Sequence, residues 1–144
     1  MKEKQFVGTW KLVSAEARSA DGQVLQVYGE NPRGVIMYDA AGNVSVNLMR
    51  SDRPAFSVAD KAKSAPQEAK SAIETYEAYF GAYEVDEAQR MVIHHVEGSL
   101  LPNWTGSDQI RFYDFSNGHL TLSTAEIPYS GTTVVGKLIW KRVA

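Results

Sequence analysis

The feature that most constrains this chain is alternation: short runs in which apolar and polar residues change places at every step, cut at intervals by turn-forming residues. Phe6 to Ser19 is the first run. A period of two puts Trp10, Leu12 and Ser14 on one face and Lys11, Val13 and Ala15 on the other. Asp21-Gly22 ends it, and Asp-Gly is a favoured pair for a two-residue hairpin loop. Gln23–Tyr28, Val35–Asp39 and Val44–Arg50 read as the next strands, separated by Glu30-Asn31-Pro32-Arg33-Gly34 and by Ala40-Ala41-Gly42-Asn43. Strands this close in sequence predict an antiparallel meander.

The middle of the chain breaks the pattern. Ser51–Lys63 is polar and carries Pro54, so it reads as a loop. Ser64 is placed to cap a helix, with Pro66 in its first turn and Gln67 three residues on, the spacing of a capping box. Ala69, Ala72, Ile73, Tyr76 and Phe80 fall at helical spacing, and Gly81 is placed to stop the helix after roughly four turns. Alternation then resumes in Ala82–Asp86, Arg90–Glu97, Gln109–Phe115, His119–Thr124 and Thr133–Val143, with a loop at Gly98–Gly106. About nine strands with one inserted helix predict an all-β fold. Long strands with many large inward residues favour an antiparallel up-and-down β-barrel of about eight to ten strands, which has no open sheet edge and can hold a small ligand.

Composition narrows the function. With 144 residues the chain is of single-domain size, and one domain over 1–144 is expected. A net charge of −2 argues against a broad surface for nucleic acid or anionic membrane. No stretch approaches the roughly 20 apolar residues of a membrane-spanning helix. Without cysteine there is no disulfide and no thiolate metal site. The start, MKEKQFVGTW, is charged and has no apolar run of signal-peptide length, so a cytoplasmic location is the expectation. No phosphate loop or nucleophile elbow is present.

Phe6-Val7-Gly8-Thr9-Trp10 carries the Gly-X-Trp pattern that opens lipocalins and fatty-acid-binding proteins. Together with Tyr28-Gly29-Glu30-Asn31-Pro32-Arg33-Gly34, Leu48-Met49-Arg50-Ser51-Asp52-Arg53-Pro54, Tyr79-Phe80-Gly81-Ala82-Tyr83 and His94-His95-Val96-Glu97-Gly98-Ser99 through Asn103-Trp104, the chain resembles the bacterial and fungal lipocalin-like domain family over nearly its whole length. The resemblance implies a calycin-type barrel and, through the barrel, a ligand. It also implies that Arg142 packs over Trp10 beside Gly8 and closes the narrow end. It carries over no common activity.

The densest polar cluster is His94-His95-Val96-Glu97. Neighbours on a strand face opposite ways, so only one histidine faces the interior. His95 and Glu97 share a face with Met91 and Ile93, and His94 shares the other with Val92 and Val96, so parity alone does not choose. If inward, His95 and Glu97 offer a ligand anchor or an acid–base pair; otherwise they stitch strands together. Arg111, alternating with Tyr113 and Phe115, suits a carboxylate if it points inward. Trp104 sits in a loop and either rims a pocket or plugs the core. Tyr38, Met49, Tyr83 and Tyr113 are further lining candidates. Two ligands on one face fall short of a metal site, and no cofactor is expected. The leading expectation is a binder of a small hydrophobic molecule. The alternatives are an isomerase, cyclase or hydrolase using His95 and Glu97, and an interaction module with a packed barrel. Base rates alone favour a homodimer.

Overall fold

The computed structural model describes residues 3–144; Met1 and Lys2, part of the charged start, lie outside the described residues. A short helix α1 (Glu3–Phe6) leads into nine strands: β1 (Gly8–Ser19), β2 (Val24–Leu25), β3 (Arg33–Tyr38), β4 (Asn43–Met49), β5 (Tyr76–Asp86), β6 (Met91–Ser99), β7 (Asp108–Ser116), β8 (His119–Tyr129) and β9 (Thr132–Arg142). Each strand from β3 to β9 pairs antiparallel with the next, and β1 pairs with both β3 and β9. Eight strands thus close into an up-and-down barrel, and the two-residue β2 is an extra strand on β1. Closure satisfies both edges of the sheet. Among the described residues no helix is long and apolar enough to cross a membrane.

The first strand keeps its alternation only as far as Leu12. Trp10 pairs with Arg142 and Leu12 with Trp140, but the next pair is Ser14 with Ile139, so Val13 is the extra residue of a β-bulge. The bulge flips the parity. Trp10 and Leu12 face inward before it, Ala15 and Ala17 after it, and Val13 is left half exposed. The sequence reading of Ser14 beside Trp10 and Leu12 is corrected accordingly. The inward residues beyond the bulge are small alanines, which leaves room at that end of the barrel.

The helix is shorter than its pattern. α2 spans Pro66–Glu74, and Ala65 rather than Ser64 precedes it. Glu68, not Gln67, reaches back to the Ala65 backbone N–H at 3.3 Å, and it also accepts from Ser57. From Tyr76 onward the chain is strand. Tyr79, Gly81 and Tyr83 alternate inward between β4 and β6, and both tyrosines are buried there. Gly81 is therefore not a helix stop. It lies in a β5–β6 bulge where an added Cβ would overlap the His95 carbonyl oxygen.

One end of the barrel is solid. Phe6 is fully buried and contacts Tyr38, Tyr113 and Phe115 edge-on at ring separations of 4.9–5.1 Å. Tyr38 and Tyr83 stack edge-to-face at 4.8 Å, and the Tyr83 hydroxyl donates to the Asp39 carbonyl. The Trp10 indole N–H donates to the Phe6 carbonyl at 2.8 Å, which ties α1 across this end as a plug. Arg142 covers Trp10 from outside, its guanidinium carbon 4.2 Å from the ring centre.

Candidate functional site

The other end is hollow. A cavity of about 300 Å³ opens between the barrel wall and the segments around Tyr28, α2, Trp104 and Tyr129. That volume lies at the small end of the range for small-molecule sites. The wall is mostly apolar: Ala15 and Ala17 after the β1 bulge, Ile36, Val46 and Leu48, and Leu122 and Leu138 across from them. Trp140 contributes to the lining, and its buried indole N–H has no hydrogen-bond partner among the described residues.

Besides Glu16, Glu74 and Thr124 elsewhere on the lining, four polar groups cluster on one side. Glu77 and Tyr79 come from the inward face of β5, His94 from β6 and Arg111 from β7. His94 is 1% exposed and is held from both sides by phenols: Nε2 is 2.7 Å from the Tyr38 hydroxyl and Nδ1 is 2.7 Å from the Tyr79 hydroxyl. Burial holds its pKa well below the usual histidine value, and the nearby Arg111 cation pushes the same way, so the imidazole is neutral. Burial raises the Tyr38 and Tyr79 hydroxyls, while Arg111 opposes the rise in each. The guanidinium itself donates to the Ile110 carbonyl at 3.1 Å. Burial raises the Glu77 carboxyl above its ordinary range, against the Ala78 backbone N–H and Arg111, which favour its ionised form. Trp104 packs edge-on to Tyr79 at 5.6 Å, and the Arg111 guanidinium lies 5.7 Å from the Trp104 ring centre. The site is thus an apolar chamber with one polar wall of phenol, neutral imidazole, guanidinium and carboxyl.

The residues singled out from the sequence divide into three groups. Trp104 and Arg111 line the cavity. Tyr38, Tyr83 and Tyr113 face inward but belong to the solid end, with Tyr38 touching the site through His94. Met49, His95 and Glu97 point away from the interior, so the inward pair His95/Glu97 is corrected. Glu97 is the exposed extra residue of the β5–β6 bulge. His95 sits on the outer wall between Asp108, 2.6 Å from Nδ1, and Glu84, 2.7 Å from Nε2. These carboxylates raise its pKa. It joins three neighbouring strands, which is the strand-stitching alternative.

Sequence reasoning missed Glu77 and Tyr79 as strand residues because they fell inside the stretch read as helix. The signal was present: Glu77, Tyr79, Gly81, Tyr83 and Val85 alternate with outward residues. His94 also had a signal, since Val92 and Val96 on its face are both apolar, whereas the His95 face ends in a charge.

Comparison with known proteins agrees with this architecture. The model of the lipocalin-like domain matches residues 7–143. A 4'-hydroxy-3'-methoxypropiophenone carrier protein of Aspergillus oryzae is 30% identical over 107 residues, covering 69% of this chain and 96% of the relative. The closed eight-stranded barrel and these matches together place the chain in the lipocalin-like domain family.

Proposed function

We propose that this protein binds and carries a small, mainly apolar molecule with one polar end, held in the open half of the barrel. The observation that carries this reading is the 300 Å³ chamber itself: apolar on most of its wall and polar on one side, where Tyr79, His94 and Arg111 meet. Apolar area supplies affinity in such a site and a few placed polar groups supply orientation. Membership of the lipocalin-like family and a relative named as a carrier support hydrophobic ligand binding in general. The relative's ligand, an aromatic ketone, is of a size that suits the chamber, and the aromatic edge of Trp104 suits a flat ring.

The test is titration with the neutral fluorescent probe N-phenyl-1-naphthylamine, followed by displacement with 4'-hydroxy-3'-methoxypropiophenone. Saturable one-to-one binding and competitive displacement are expected. Fluorescence that rises without saturating, or a probe that the ketone does not displace, would count against the reading. The enzymatic alternative built on His95 and Glu97 loses its geometric basis, because the two side chains lie outside the chamber. A fully packed barrel is likewise at odds with the cavity.

A further inference from the structure

Hydrogen-bond counting around His94 fixes which way the polar wall points. A neutral imidazole has one N–H and one bare nitrogen, so of its two phenol neighbours one donates and the other accepts. Two arrangements are available. In the first, Tyr38 donates to Nε2 and Nδ1–H donates to Tyr79. In the second, Tyr79 donates to Nδ1 and Nε2–H donates to Tyr38.

The surroundings distinguish them. Tyr38 is 2% exposed in the solid end, and among the described residues no carbonyl or carboxylate accepts from its hydroxyl. The second arrangement would leave that O–H buried without an acceptor, at a cost of about 1–3 kcal/mol. The first satisfies it. It also leaves the Tyr79 oxygen accepting from Nδ1–H. Tyr79 then has its own O–H left to donate, and it lies on the cavity wall.

From this count we infer that Tyr79 is a preset hydrogen-bond donor aimed at the ligand, and that the ligand's polar end is a neutral carbonyl oxygen. The inference rests on the binding reading above and goes further, naming the chemical class that the site selects. A carbonyl offers lone pairs and no hydrogen, matching the free Tyr79 O–H and the Arg111 guanidinium. An alcohol also brings an O–H, which must compete with the Ala78 N–H and Arg111 for the Glu77 carboxyl on the same wall. A carboxylate is drawn by Arg111, but that charge is already opposed by Glu77 on the same wall. Tyr38 takes part without touching the ligand: it is a positioning residue that holds the imidazole in the Nδ1–H form.

The experiment compares propiophenone, 1-phenylpropan-1-ol and 3-phenylpropionate as competitors of N-phenyl-1-naphthylamine, in the parent protein and in Tyr79→Phe and Tyr38→Phe. The cost of a poorly placed alcohol O–H in a dry site predicts that the ketone binds about tenfold tighter than the alcohol. The ketone is also expected to outbind the carboxylate. Tyr79→Phe should bring the ketone down to the alcohol. Tyr38→Phe should shrink the ketone's advantage without altering the cavity wall, because Nε2 then has no phenol partner in either tautomer and Tyr79 donates to Nδ1 in part of the population. The ¹⁵N shifts of His94 give a readout that needs no ligand: protonated Nδ1 and bare Nε2 in the parent protein, and a mixture of the two tautomers in Tyr38→Phe. If the probe binds but the ketone shows no advantage, if the carboxylate binds best, or if His94 carries its proton on Nε2, the inference is overturned while the container reading stands. A probe that does not bind at all removes the container reading itself.

Discussion

The guanidinium of Arg142 lies 4.2 Å above the centre of the Trp10 ring, and its nitrogens donate to the carbonyls of Gln5 and Val7. Trp10 in turn donates to the Phe6 carbonyl. Residues from the last strand, the first strand and the preceding helix are therefore bound into one closure, at the end of the barrel opposite the cavity. The consequence for function is a division of labour: the solid end holds the barrel shut, and the hollow end is free to be shaped for a ligand.

Arg142→Ala removes the cation from the Trp10 face together with its carbonyl contacts. A loss of about 1–2 kcal/mol is expected, since the site is on the surface and partly screened. Arg142→Lys should recover only part of it, because an ammonium cannot reproduce the fork. Urea unfolding measures both. Ligand affinity should change little, as the cavity lies at the other end.

Gly81→Ala separates the strand assignment from the helical one. At a helix stop the change would be mild. In the β5–β6 bulge a methyl overlaps the His95 carbonyl, which forces two strands apart. A loss of about 3 kcal/mol, or failure to fold, is expected by comparison with other overpacked cores. Thermal unfolding and the yield of soluble protein report it.

The two adjacent histidines respond to pH with opposite sign. The folded pKa of His94 is depressed by burial, so the unfolded chain takes up a proton first, and stability falls as pH drops below the unfolded value of 6.5. The folded pKa of His95 is raised by Asp108 and Glu84, so its contribution is full below 6.5 and is lost as pH rises through the folded value. His95→Gln should therefore steepen the acid loss of stability and leave stability at high pH nearly unchanged. His95 is 39% exposed at its side chain, so the effect is modest. Melting temperatures from pH 5 to 9 decide it; equal pH slopes for the two proteins would contradict the assignment.

Trp104→Ala takes away the aromatic edge beside Tyr79 and the partner of Arg111. Affinity for an aromatic ligand should fall about tenfold, in line with the loss of one aromatic packing contact and its buried area. Competition against N-phenyl-1-naphthylamine measures the loss.

Much of the barrel could be read from the chain because alternation and turn chemistry are local properties. The strands read at Val44–Arg50 and Gln109–Phe115 differ from the observed Asn43–Met49 and Asp108–Ser116 by one residue at each end. Three features were not read this way, although two of them left local signals in the alternation from Glu77 to Val85 and in Val92 and Val96 beside His94. The Val13 bulge comes from how β1 meets β9 at the far end of the sequence, and nothing in Leu12-Val13-Ser14 announces it. The stretch from Tyr76 to Phe80 fits helical spacing and strand alternation alike, and pairing with β4 decides between them. The choice between His94 and His95 depends on the Asp108 and Glu84 carboxylates waiting on the outer wall, both distant in sequence from it. Those same three features set the small residues, the Tyr79 phenol and the neutral imidazole of the cavity. The site was accordingly less legible than the fold around it.

The most direct measurement of where a ligand sits is the set of intermolecular NOEs between bound 4'-hydroxy-3'-methoxypropiophenone and the protein's methyl groups. Contacts to Ala15, Ala17, Leu122 and Leu138, all on the cavity wall, are the predicted result. Contacts confined to Val13, Met37 and Ile110, which face solvent on the outside of the barrel, would contradict it.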